Sequence, residues 1–65
     1  MFMNIELERL RRYMSRAALA KALGVPVATL HKWIWRQEAI PVDKLRALSR
    51  LFDGCSVDYL LMERR

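Results

Sequence analysis

Sixty-five residues make one small domain, which buries only part of its unfolded surface and often leans on a partner subunit. A 54% hydrophobic share excludes a disordered basic tail, and a single cysteine (Cys55) with a single histidine (His31) excludes an internal disulfide and a zinc site. The net charge of +5 is gathered in one segment: Arg9, Arg11, Arg12, Arg16, Lys21, Lys32 and Arg36 fall between residues 9 and 37, a span without Asp or Glu.

Four residues punctuate the chain: Gly24, Pro26, Pro41 and Gly54. The first predicted helix runs from about Asn4, read as its N-cap, to Met14. Met3, Leu7, Leu10 and Met14 recur at intervals of four, three and four and predict one buried stripe. Ser15 reads as the N-cap of a second helix over 16–23, with Leu19, Ala20 and Leu23 inward and Gly24 closing it. Val25 and Pro26 form a turn. A third helix over 27–36 points Leu30, Trp33 and Ile34 inward and Ala28, His31, Lys32 and Trp35 outward. After a loop from Gln37 to Ile40, Pro41 leads into a fourth helix over 42–52, with Leu45, Leu48 and Phe52 on one side. Ser56 caps a fifth over 57–63, with Val57, Leu60 and Leu61 apolar. No segment alternates with period two, so the expected fold is all-α, five short helices in a single domain over 1–65.

The second and third helices meet the demands of a helix-turn-helix. Ala20 is small enough for a close crossing, and Gly24 tolerates the positive φ of the sharp turn. Val25 is placed to be buried in that turn, and Leu30 and Trp33 face the core. An isoelectric point near 10.2 with clustered positive charge is an electrostatic footprint for phosphates.

These residues, "SRAALAKALGVPVATLHKW" followed by "IP-DKL-AL--LF" and "CSVDYLL", resemble the lambda-repressor-like DNA-binding domain of phage Cro proteins and repressors, over roughly residues 5–62. The resemblance implies that the third helix lies in the major groove with its early residues on base edges. It makes Val27, Ala28, His31 and Lys32 the base-reading candidates and Arg16, at the start of the second helix, a phosphate ligand. Thr29 and Arg36 join them as DNA-contact candidates, Thr29 equally readable as plain surface. The family often has Gln-Ser at the position of Val27-Ala28, and Ser or Thr where this chain has Pro26. Apolar contact with thymine methyls is the role left to Val27 and Ala28, with Lys32 and His31 providing polar discrimination. His31 is also readable as a plain exposed side chain. Trp35 has three open readings: a sugar–phosphate contact, a dimer contact, or packing on the following loop.

A single module buries too little surface for tight discrimination, so the expectation is a homodimer on an inverted repeat, its recognition helices about 34 Å apart. Tyr59, Leu61 and Met62 are the first candidates for the dimer interface, ahead of Trp35. An antitoxin-like interaction module that also represses its own operon is the alternative. No catalytic residues, metal, cofactor, membrane or small-molecule substrate are expected: the basic face carries no carboxylate pair, and a 65-residue all-α core leaves little room for a pocket. No apolar run approaches a membrane span, and Glu6 and Glu8 spoil a signal peptide. The expected protein is cytoplasmic and nucleoid-associated, complete from Met1, with Met3 an alternative start. Cys55 is expected to fill a small apolar gap beside the fifth helix.

Overall fold

Five short helices and no strand account for the regular structure of residues 1–63, which the computed structural model describes; Arg64 and Arg65 lie outside the described residues. The helices are α1 (Met3–Arg11), α2 (Arg16–Leu23), α3 (Val27–Trp35), α4 (Val42–Leu51) and α5 (Val57–Leu60). Phe2, Ile5, Leu19, Ala20, Leu23, Leu30, Trp33, Ile34, Leu48, Phe52 and Leu60 form the core they share. All-α architecture and the order of elements agree with the sequence reading. Helix ends fall short of the expected bounds, most at α5, which closes at Leu60 instead of Glu63, and at α1, which closes at Arg11 instead of Met14. The stop in α1 is a left-handed Tyr13 (φ 53°), after which the chain turns into α2.

The orientation of α1 departs from its apolar spacing. Leu7 and Leu10 are exposed (36% and 56%), while Ile5 is fully buried and Asn4, Glu6, Glu8 and Arg9 are buried with it. Asn4 is not a cap. The helix starts one residue earlier because Phe2 is buried and its amide donates to the Ile34 carbonyl (2.9 Å), anchoring the N-terminus on α3. The Asn4 side chain instead donates to the Tyr59 carbonyl at 2.7 Å, tying α1 to α5. An apolar pattern misses this because polar groups enter an interior when they satisfy one another. Glu6 accepts from Arg9 at 2.6 Å, and the Arg9 guanidinium also donates to the Met14 carbonyl at 2.7 Å.

Glu8 is the hub on the other side of α1. It accepts from Arg11 (3.2 Å), Arg12 (3.0 Å) and the Tyr59 hydroxyl (2.8 Å), and the Cys55 thiol lies 3.7 Å away. The hydrogen bonds from Arg12 and Tyr59 hold its carboxyl down at a pKa of about 2, against an ordinary 4.5. The same bond raises the Tyr59 phenol. Arg12 continues the link to Asp53 in the α4–α5 turn (2.8 Å) and stacks over Phe52, 5.0 Å from the ring centroid. Cys55 is half-buried against the core as expected, but with a carboxylate beside it.

Candidate nucleic-acid interface

Local chemistry fixes the α2–turn–α3 unit. Ser15 caps α2 by accepting from the Ala18 amide (3.0 Å). At the other end Gly24 is left-handed (φ 70°), its amide bonds to Lys21 O (3.1 Å) and the Val25 amide to Ala20 O (3.0 Å). That pair of bonds is a Schellman motif, and Val25 supplies its apolar contact with the core. Lys44 adds a brace that sequence reasoning missed: its ammonium donates to the Leu23 carbonyl at 2.8 Å, across from α4, satisfying an orphan carbonyl at the negative end of α2. No local spacing announces a partner 21 residues away. Pro26 (φ −63°) occupies the N-cap position of α3, where its missing N–H costs nothing, and Thr29 and Leu30 bond back to its carbonyl.

On α3 the two faces separate as expected. Leu30, Trp33 and Ile34 are buried at 6% exposure or less. Val27, Ala28, His31 and Lys32 are exposed, and together with Arg36 they line an open groove of about 480 Å³. Its two cations, Lys32 and Arg36, have no ion-pair partner among the described residues, and no acid shares the lining. Thr29 is half-buried on the flank. Trp35 is exposed at the helix end, its ring centroid 5.8 Å from that of His31. Arg16 is also here: its guanidinium stands 5.8 Å from the Trp35 centroid, and Nε donates to Glu6 at a long 3.4 Å. Every DNA-contact candidate named from the sequence thus sits on α3, at its end, or beside it at the start of α2. The missed member is Glu6. Burial would raise its pKa, but the hydrogen bonds from Arg9 and Arg16 outweigh that and hold it below the ordinary value. Its three-residue spacing from Arg9 was the available signal.

The basic run is not one surface. Arg9 is buried, and Arg9, Arg11 and Arg12 are all paired with acids that flank the run in sequence or, for Asp53, in space. That corrects the view that all seven cations form the footprint: Lys21, Lys32 and Arg36 are unpaired among the described residues, and Arg16 keeps half its side-chain surface open. The dimer candidates are divided too. The Tyr59 hydroxyl is committed to Glu8, Leu61 is half-buried against the core, and Met62 is exposed (54%). Gln37, left-handed at the end of α3, donates to Glu63 and accepts from the Met1 ammonium (2.7 Å). Among the described residues no group of His, Cys, Asp or Glu is placed to hold a metal, and no helix is long and apolar enough to cross a membrane.

A family described as helix-turn-helix matches residues 5–60, and the chain belongs to it. The family is of the lambda-repressor and Cro-like kind, and its members are typically DNA-binding regulators. No curated protein and no solved structure matches the chain.

Proposed function

We propose that this helix-turn-helix protein is a sequence-specific transcriptional regulator of phage Cro or repressor type, cytoplasmic and nucleoid-associated, which occupies an operator inverted repeat as a homodimer. The observation that carries the reading is the outer face of α3. Four of its exposed side chains, Val27, Ala28, His31 and Lys32, line one acid-free groove with Arg36 just past its end, while the opposite face is locked into the core. A major groove about 12 Å wide admits such a helix. Lys32 donates to guanine O6 or N7, His31 makes a second polar contact, and Val27 and Ala28 meet thymine methyls. Thr29, Arg16 and Arg36 hold phosphates, which set register without reading sequence. The dimer contact involves the end of the chain, with Met62 giving the exposed apolar surface and Tyr59 and Leu61 the ledge behind it.

Selection from a random DNA pool, read with sedimentation of the selected complex, tests this. The expected result is a two-fold symmetric site bound by two chains. Lys32→Ala is expected to lose about 1–3 kcal/mol of discrimination at one position of each half-site; selection of the same site with unchanged discrimination would remove Lys32 from base reading. A second reading, a module that also binds a protein partner as antitoxins do, is favoured by the exposed Leu10 and, three residues on, the almost fully exposed Tyr13 (98%). Such a module without a DNA role would show no steep loss of DNA retention with salt.

A further inference from the structure

We propose that Trp35 is the positioning residue for Arg16, and that Glu6 and Trp35 together hold its guanidinium as a preset clamp for a DNA phosphodiester beside α3. The inference rests on the DNA-binding reading above and selects among the three roles open to Trp35: it acts through Arg16.

Arg16 is the first residue of α2, where the helix dipole disfavours a cation. Its position therefore has to be fixed from outside the helix, and two groups do so. Glu6 accepts from Nε at 3.4 Å. Glu6 is itself immobilised, because its other oxygen accepts from the buried Arg9 at 2.6 Å. The Trp35 indole meets the guanidinium at 5.8 Å, within cation–π range, and its ring lies against His31 at an interplanar angle of 31°. One edge and one face of the planar group are thus occupied. The remaining edge, Nη1 and Nη2, donates to no described residue, and half the side-chain surface is open. Two parallel donors on a held plane match two oxygens of a phosphate. Because Glu6 engages only Nε, a phosphate need not displace it, and most of the ordering cost is met before DNA arrives.

Anisotropy titrations of a mixed-sequence duplex with the full-length chain over a salt series test the proposal, since a phosphate clamp works on any sequence. Arg16→Ala is expected to weaken binding and to lower the salt slope by about 0.9. Trp35→Ala is expected to weaken binding roughly two- to fivefold and to lower the slope in the same direction, with most of the loss restored in Trp35→Phe, which keeps a π face. In the Arg16→Ala background, Trp35→Ala is expected to add nothing. An equal loss in both backgrounds would overturn the proposal, because Trp35 would then be acting without Arg16; so would an unchanged affinity and slope. Thermal melts verify folding, and Trp35→Leu, which keeps apolar bulk without the π face, replaces Trp35→Ala if that variant melts below the assay temperature. Wild-type binding with no salt dependence would sink the DNA-binding reading and this inference together, whereas salt-dependent binding with no coupling between the two positions would sink the inference alone.

Discussion

Raising the salt concentration separates the charges that serve the interface from those spent on the fold. A protein that neutralises Z phosphates loses affinity with a slope of about −0.9Z in log K against log salt. Taken from the sequence, the basic run offers seven cations per subunit, a slope of about −6.3. In the fold three of them, Arg9, Arg11 and Arg12, are bound to Glu6, Glu8 and Asp53. Arg16, Lys21, Lys32 and Arg36 remain, which limits the run's share to about −3.6 per bound subunit. Between about 50 and about 200 mM salt, the two cases predict losses of roughly 6,000-fold and roughly 150-fold per subunit. Anisotropy on a mixed-sequence duplex reads the slope, and two variants assign it. Arg36→Ala is expected to lower it by about 0.9, and Arg11→Ala to leave it unchanged although Arg11 is the more exposed member of its pair with Glu8 (74% against 5%). An Arg11→Ala chain that loses as much slope as Arg36→Ala would refute the division of labour, since α1 would then be reaching DNA.

Two further outcomes concern the frame that holds α3. Gly24→Ala is expected to destabilise the chain by about 1–2 kcal/mol in denaturant unfolding, the cost of left-handed backbone for a residue with a Cβ; the added Cβ meets only the Lys44 ammonium, at 3.8 Å, so a much larger loss would mean that packing and not φ is at stake. For Glu8 the folded pKa lies below the ordinary 4.5, so its contribution to stability is present above that pH and is lost as pH falls toward about 2. Tyr59→Phe removes one of the donors responsible, and the acid-unfolding midpoint, followed by circular dichroism, is expected to move to higher pH; an unmoved midpoint would show that the arginines alone hold the carboxylate.

How far the sequence could be read depended on the kind of interaction. Where a signal was local, it carried through: Ser15 and Ser56 cap the helices they precede, Gly24 takes the positive φ, and Leu30 and Trp33 face inward. The DNA-facing candidates on α3 fell on one side for the same reason, because a period of 3.6 residues fixes faces once the inner residues are known. In α1 the reading failed. Met3, Leu7, Leu10 and Met14 have helical spacing, and so do Asn4, Glu8 and Arg12, but in the second set Asn4 and Glu8 are buried and Arg12 half-buried, with partners 40 or more residues away at Asp53 and Tyr59. Periodicity of apolar residues cannot weigh a polar stripe whose partners are distant in sequence.

That misreading has a functional consequence. If the apolar stripe of α1 faced the core, Glu6 and Glu8 would point to solvent and Arg16 would lose its anchor. Turning the polar face inward commits Glu6 and Glu8, the two acids that precede the basic run, to the interior, where Arg9, Arg11 and Arg12 pair with them. Of the two, Glu6 touches Arg16, accepting from Nε at 3.4 Å, as the fixed end of a cation whose other edge donates to no described residue. The burial of α1's charges and the readiness of α3's neighbourhood to meet DNA are therefore one arrangement. A substitution at Glu6 is expected to affect both, weakening the Arg9 pair in the core and releasing the guanidinium that Trp35 alone would then hold.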